Sequence, residues 1–289
     1  MPTKIEKDEI TGTETTGHEW DGIKELNTPL PKWWVWTFYV TIAWSIGYFI
    51  AYPAWPTLSG HTEGVLGWTQ RGEIAGKMAE AKAQRAPFVG RIERASLDEI
   101  RRTPDLLNFA MAGGRSVFAE NCAPCHGAGG AGAKGFPALA DDSWLWGGTL
   151  DDIHTTIAYG IRNANAESRT SVMPRFGADG LLNERQINDA AEYVLSLSRR
   201  STNADAAKRG KTVFAENCVA CHQENGTGST ELGAPNLAAN IWVYGGDKAT
   251  IVESIRNSRA GSMPAWTGRL DDATIKMLAV YVHALCGGK

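Results

Sequence analysis

The chain repeats itself, and the repeat carries its cysteines. Gly114 opens GRSVFAENCAPCHG and Gly210 opens GKTVFAENCVACHQ, which sets Cys122 and Cys218 96 positions apart. The match continues downstream. Gly135-Phe136-Pro137-Ala138-Leu139 aligns with Gly233-Ala234-Pro235-Asn236-Leu237, Trp144 to Gly148 with Trp242 to Gly246, Ile161-Arg162-Asn163 with Ile255-Arg256-Asn257, and Met173-Pro174 with Met263-Pro264. Two copies are too few for a solenoid, so the expectation is a tandem pair of small domains. Thr149, Asn183 and Asp271 each sit where an N-cap is needed before an apolar stripe of period 3.6, and Ser96-Leu97-Asp98-Glu99 is a further start signal. No alternating strand pattern is evident, and the domains read as all-α.

Each copy holds Cys-x-x-Cys-His: Cys122, Cys125 and His126, then Cys218, Cys221 and His222. This is the attachment signature of a c-type haem. Cysteines three apart lie one helical turn from each other, so both thiols reach the two vinyl groups of one porphyrin, and the adjacent histidine supplies an axial nitrogen to the iron. A zinc site built from two Cys-x-x-Cys pairs wants them about 15–20 residues apart, which these are not. A thioredoxin-type redox motif wants a βαβ context, and none is visible. The fifth cysteine, Cys286, reads as an unpaired helix-end residue.

The sixth iron ligand has to come from elsewhere. Met173 and Met111 are the candidates in the first copy, Met263 and Met277 in the second. Met111 has no counterpart and Met277 has core-like spacing, whereas Met173 and Met263 occupy matched positions before proline and are preferred. His154 and His283 have no counterparts and read as ordinary helix histidines; His18 and His61 lie outside the repeats. A thioether is a soft donor that favours reduced iron and raises the potential. With both axial positions filled, the haems are expected to carry electrons rather than to activate oxygen. Pro137 and Pro235 are placed to offer carbonyls to the second imidazole nitrogens, and Arg162 and Arg256 are candidate partners of haem carboxylates.

Between Lys32 and Glu63 there is no Asp, Glu, Lys or Arg, and five of the chain's 11 tryptophans fall between Trp33 and Trp55. Some 20 helical residues at ~1.5 Å each match a hydrocarbon slab of ~30 Å. Trp33, Trp34 and Trp36 at one end and Tyr52 and Trp55 at the other form the aromatic belts of a spanning helix, which Pro53 and Pro56 stop. The apolar run begins too late and runs too long for a cleaved signal peptide. Lys24 and Lys32 precede it closely, while Arg71 is the first basic residue after it, so the N-terminus is expected in the cytoplasm and the repeats in the periplasm. The expected order is therefore a polar tail over 1–31, taken as mobile, a membrane helix over 32–55, a helical linker over 56–107, and cytochrome c domains over 108–199 and 203–289.

The formal charge is −3, with 29 Lys and Arg against 32 Asp and Glu, which leaves no basic excess for nucleic acid. Residues 110–199 hold 7 basic against 10 acidic side chains and residues 200–289 hold 10 against 8, which makes the first copy the better expected dock for a basic electron donor. No protease HExxH, GxSxG elbow, P-loop or dinucleotide fingerprint is present.

One further pattern resembles a known family. Gly17-His18-Glu19-Trp20-Asp21-Gly22-Ile23, then Thr28-Pro29-Leu30-Pro31-Lys32-Trp33-Trp34, one span and two haem motifs are similar to the dihaem subunit (CcoP or FixP) of cbb3-type cytochrome c oxidases. The resemblance covers nearly the whole chain, though residues 61–104 carry no part of it. It implies a subunit that takes electrons from a periplasmic or anchored cytochrome c, or from the bc1 complex. Those electrons pass to a monohaem c subunit and then to a catalytic haem–copper subunit, where oxygen is reduced to water and protons are pumped. It implies two covalent haem c groups, one on Cys122, Cys125, His126 and Met173, the other on Cys218, Cys221, His222 and Met263. A free-standing membrane-anchored dihaem shuttle is the alternative, and a dihaem peroxidase a more distant one.

Overall fold

The computed structural model describes residues 4–285; Cys286 lies outside them. Residues up to Gln84 form one unit and those from Arg85 onward a second.

In the first unit the polar tail is not a loose segment. Strands β1 (Thr15–Trp20) and β2 (Ile23–Leu26) pair antiparallel, with Trp20 opposite Ile23 and Glu19 opposite Lys24. Asp21 and Gly22 make the turn, both with positive φ (50° and 86°), the two-residue geometry that follows the twist of a hairpin. Lys24 Nζ closes the fold onto Glu6 at 2.5 Å. Helix α1 (Lys32–Ala51) follows, with no buried residue along its 20 positions. A helix apolar all round and covered by no protein is a membrane span in composition and length. Its two threonine hydroxyls are satisfied internally, Thr37 donating to the carbonyl of Trp33 and Thr41 to that of Phe38, as a lipid environment demands. A two-residue ladder, β3 (Pro56–Thr57) with β4 (Gly60–His61), comes next. Helix α2 (Gln70–Arg94) then runs out of this unit.

The second unit holds the repeats. Helix α3 (Leu97–Arg102) starts on Ser96, whose Oγ accepts from the Glu99 N–H at 3.1 Å. The first repeat supplies α4 (Pro104–Asn121), α5 (Ala123–His126), α6 (Leu150–Tyr159, capped by Thr149) and α7 (Glu184–Leu197, with a capping box of Asn183 and Gln186). The second supplies α8 (Ala204–Asn217), α9 (Val219–His222), α10 (Lys248–Asn257) and α11 (Asp272–His283, capped by Asp271).

The repeats do not close on themselves. Each gives its last helix to the other. The first core joins Leu106, Ala110 and Phe118 of α4 and Ile153 and Ile157 of α6 to Met277, Leu278 and Tyr281 of α11. The second joins Ile187, Ala191, Val194 and Leu195 of α7 to Val213 and Phe214 of α8 and Ile251 and Ile255 of α10. Matched glycines permit the two close helix crossings: a Cβ on Gly114 would collide with the Met277 carbonyl, and one on Gly210 with that of Asp189. The tandem arrangement expected from the repeat therefore holds in sequence order, while in space there are two lobes with exchanged terminal helices.

Charge explains the exchange. Asp189 and Glu192 lie on the core-facing side of α7, 6% and 0% exposed. Arg209 of α8 grips Asp189 through Nε and Nη2 at 2.8 and 2.6 Å. Lys248 of α10 reaches Glu192 at 2.9 Å, and Ser201 Oγ donates to the same carboxylate at 2.6 Å. Counted from the N-caps, the α11 residues at these positions are Met277 and Val280. The first-repeat counterparts of Arg209 and Lys248 are Gly113 and Leu150. Returning α7 to α4 and α6 would bury two carboxylates without a cation, a cost of several kcal/mol. Returning α11 would also forfeit Lys276, whose ammonium caps the carbonyls of Glu93 and Ala95 at 2.8 and 3.1 Å.

Glu192 gives the exchange a pH signature. Burial would raise its carboxyl, but Ser201, Lys248 and the Thr202 N–H outweigh burial and hold it down at about 2, against 4.5 in an open chain. A depressed carboxyl contributes its stability in full above the unfolded value and loses it as pH falls towards the folded one. Stability of the second lobe should thus fall between about pH 5 and pH 2 by on the order of 3 kcal/mol from this group alone. Glu192→Gln should show a lower stability at neutral pH and a flattened acid limb in denaturant unfolding. An unchanged acid limb would remove Glu192 from this role.

Candidate haem-attachment sites

Both attachment turns are built alike. Helix α4 ends at Asn121 and α8 at Asn217; Cys122 and Cys218 cap them and start the short helices α5 and α9. The N–H groups of Cys125 and His126 return to the Cys122 carbonyl at 3.1 and 2.9 Å, and those of Cys221 and His222 to the Cys218 carbonyl at 3.2 and 2.9 Å. One turn thus carries two thiols and an imidazole in each lobe, and none of the four cysteines is in a disulfide. Burial pushes the thiols of Cys122 and Cys218 up to about 11, the reverse of an activated redox thiolate. Among the described residues no three His, Cys, Asp or Glu side chains converge as a metal site.

The imidazoles are oriented as expected. His126 Nδ1 lies 3.0 Å from the carbonyl oxygen of Pro137, and His222 Nδ1 lies 3.1 Å from that of Pro235. A carbonyl only accepts, so each Nδ1 carries the proton and each Nε2 keeps a free lone pair. Burial lowers the pKa of His222, which favours this neutral, ligating form. The loops that bring the prolines round also match: Gly132 N–H donates to the His126 carbonyl, and Gly228 N–H to that of His222.

The methionines follow the exchanged helices. Met263 packs against the first core with Cys122, Ala123 and Leu139, and Met173 against the second with Cys218, Val219 and Leu237. The backbone fixes this placement. Ile161 and Met263 exchange N–H to carbonyl bonds at 3.0 and 2.9 Å, and Trp266 and Thr267 donate to the carbonyl of Ala158 at the end of α6. Beyond Met173, Phe176 donates to Ile255 and Gly177 to Arg256, at the end of α10. Met263 thus shares a lobe with His126 and Met173 one with His222, whereas sequence order led to the expectation of Met173 with His126 and Met263 with His222. The chain crosses between lobes after α6 and again after α10, and each methionine lies beyond a crossing. Met111, on α4, packs against the first core, and Met277, 2% exposed, fills it beside Gly113. His154 faces Asp272 of α11 at 3.6 Å, and His283 is the last residue of α11.

The two arginines differ. Arg256 pairs with Glu184 through Nη2 and Nε at 2.6 and 3.0 Å. Arg162 takes a positive φ of 48° and donates to two backbone carbonyls at the crossing. Neither is a free guanidinium waiting for a haem carboxylate. The better sign of one is Trp242, whose buried indole N–H has no acceptor. A buried indole donor left bare fits an acidic group that the polypeptide does not supply. The free thiols, the fixed imidazoles, the methionine in each lobe and this indole together fit a c-type haem. The charge imbalance between sequence halves does not carry over to the lobes, because Glu184, Asp189 and Glu192 travel with α7 into the second.

Comparison with known proteins agrees with this reading. Residues 12–59 match the family described as the N-terminal domain of cytochrome oxidase-cbb3, FixP. Residues 109–194 and 205–282 each match the family described as cytochrome c oxidase, cbb3-type, subunit III. The chain is 59% identical to the cbb3-type cytochrome c oxidase subunit CcoP of Azospirillum brasilense, over 98% of this chain and 99% of that one. It is 54% identical to the FixP subunit of Bradyrhizobium sp. (strain ORS 278) and 49% to the CcoP subunit of Cereibacter sphaeroides, in both cases over 100% of each chain.

Proposed function

Because the chain belongs to the CcoP (FixP) family of cbb3-type cytochrome c oxidase subunits, we propose that it carries two haems on exchanged lobes and relays electrons between them without an oxygen-reducing centre of its own. It is an electron-transfer subunit of a cbb3-type oxidase, with covalent c-type haem and one apolar helix suited to a membrane. The haem supplies a one-electron carrier at each lobe.

The residues around it do the rest. Cys122 and Cys125 would tie one group, with His126 and Met263 as the side chains to hold its iron; Cys218, Cys221, His222 and Met173 would do the same for the other. Supporting this is the packing of each methionine into the core that holds the matching cysteine turn. The Pro137 and Pro235 carbonyls hold each imidazole in one tautomer and orientation, so ligation needs no reorganisation as the iron changes charge. A methionine thioether would favour the reduced state and would occupy the place that oxygen needs. Trp242 offers its indole N–H to a haem carboxylate in the second lobe.

The proposed partners are the catalytic haem–copper subunit and the monohaem c subunit of the oxidase, with a periplasmic or anchored cytochrome c or the bc1 complex as donor. The N-terminal hairpin lies in the cytoplasm of this scheme and the lobes in the periplasm, from the bias of Lys24 and Lys32 against Arg71. Purification of the full chain in mild detergent should bring down haem b signals and cyanide-sensitive oxygen uptake. A lone dihaem polypeptide without uptake would instead support a free shuttle.

A further inference from the structure

The two methionine loops meet at one side chain. Arg162 follows α6 at the first crossing between lobes. Its Nε donates to the carbonyl of Gly261 at 2.7 Å and its Nη1 to that of Ser171 at 2.8 Å. Gly261 lies two residues before Met263, and Ser171 two residues before Met173. A single guanidinium therefore holds both loops at the same position relative to their methionines. No carboxylate pairs with it among the described residues, and its N–H to carbonyl bonds are charge-assisted. The planar fork fixes the angle between its two donors, so a shift of one loop moves the group that holds the other.

The repeat itself provides the comparison. Arg256, at the matched position, is spent on Glu184 and touches neither methionine loop through its guanidinium. Asn163, next to Arg162, donates to the carbonyls of Tyr159 and Met263 at 2.9 and 2.8 Å, and so holds the Met263 loop alone. The polar ends of the three side chains thus hydrogen-bond to both loops, to neither, and to one.

We propose that Arg162 is a positioning residue that clamps both sixth-ligand loops and couples the ligand state of one haem to that of the other. The proposal rests on Met173 and Met263 being the sixth ligands. Its test is made on the full-length holoprotein in detergent, from the red charge-transfer band of methionine-ligated ferric haem and a redox titration of both haems. Arg162→Ala should weaken the band at both haems together and lower both potentials. Arg162→Lys, with one ammonium in place of a fork, should not restore the pair. Asn163→Ala should affect one haem only, and Arg256→Ala neither. If Arg162→Ala fails to accumulate with both haems, Arg162→Gln is read in the same way, since glutamine has a planar donor but cannot span both carbonyls.

Met173→His and Met263→His separate the two ideas. If these variants leave the band at full strength, the methionine ligands are wrong. If they abolish it one haem at a time while Arg162→Ala and Arg162→Gln leave either haem with its normal band and potential, the clamp alone is wrong.

Discussion

A cut between α7 and α8 will leave the two halves of the chain bound to each other. The place for it is after Arg199, in the exposed connection that follows α7, before the Ser201 and Thr202 groups that bond Glu192. A protease site inserted there separates the repeats covalently. Two independent domains would then part. In the exchanged fold they cannot part without losing both cores. The N-terminal fragment keeps α7, which buries Ile187, Val194 and Leu195 against α8 and α10 of the other fragment. The C-terminal fragment keeps α11, which buries Ile275, Met277, Leu278 and Val280 with α4 and α6. At about 1.5–3 kcal/mol for each large apolar side chain, and with Asp189–Arg209 and Glu192–Lys248 in addition, the halves are expected to stay together at nanomolar concentration. After cleavage they should co-elute from size exclusion in detergent with both haems and come apart only in denaturant. Two separate haem-bearing species in native buffer would rule out the exchange.

Why the exchange escaped a reading of the sequence is visible in the helices that carry it. Both α7 and α11 start on a matched cap and carry an apolar stripe of the same period, and Gly114 and Gly210 offer each the same close crossing. Periodicity says that such a helix has a groove to fill, not which of two similar grooves. The discriminating residues were present as an anomaly: Asp189 and Glu192 fall among Ile187, Ala190, Ala191 and Val194, inside the stripe rather than opposite it. A buried carboxylate needs a cation, and only the second repeat has one at each facing position. The N-terminal hairpin escaped for a different reason. Its strands are short and polar, and the signal was the Asp21-Gly22 dipeptide between them, a two-residue turn read as part of a loose tail. Features fixed by neighbours in sequence were legible: the span, the caps at Ser96, Thr149, Asn183 and Asp271, and the Pro137 and Pro235 carbonyls that meet the imidazoles. Which methionine shares a lobe with which cysteine turn was not local, because it depends on where the chain goes after α6.

Met263→His should change the haem on Cys122 and Cys125, not the one that precedes it in its own repeat. The decisive chain carries Cys218→Ala and Cys221→Ala, so that only the first haem is attached. Met263 lies at the end of the α6 lobe, its backbone laced to Ile161 and its loop to Ala158. An imidazole there replaces a soft thioether by a stronger σ-donor that favours ferric iron. The potential of the remaining haem should fall by on the order of 0.2 V, a fraction of the ~0.8 V that axial ligands command. The red charge-transfer band should vanish with it. Met173→His in the same single-haem chain should do neither, since Met173 sits with Cys218 and Trp242 in the other lobe. The reciprocal pair, with Cys122→Ala and Cys125→Ala, should reverse both results. A large shift from Met173 and none from Met263 would restore the order of the sequence and undo the exchanged assignment. It would leave the helix packing to be judged by the cleavage experiment alone. The two tests are therefore independent: one follows the terminal helices, the other the loops that lead to them, and the exchanged fold requires both.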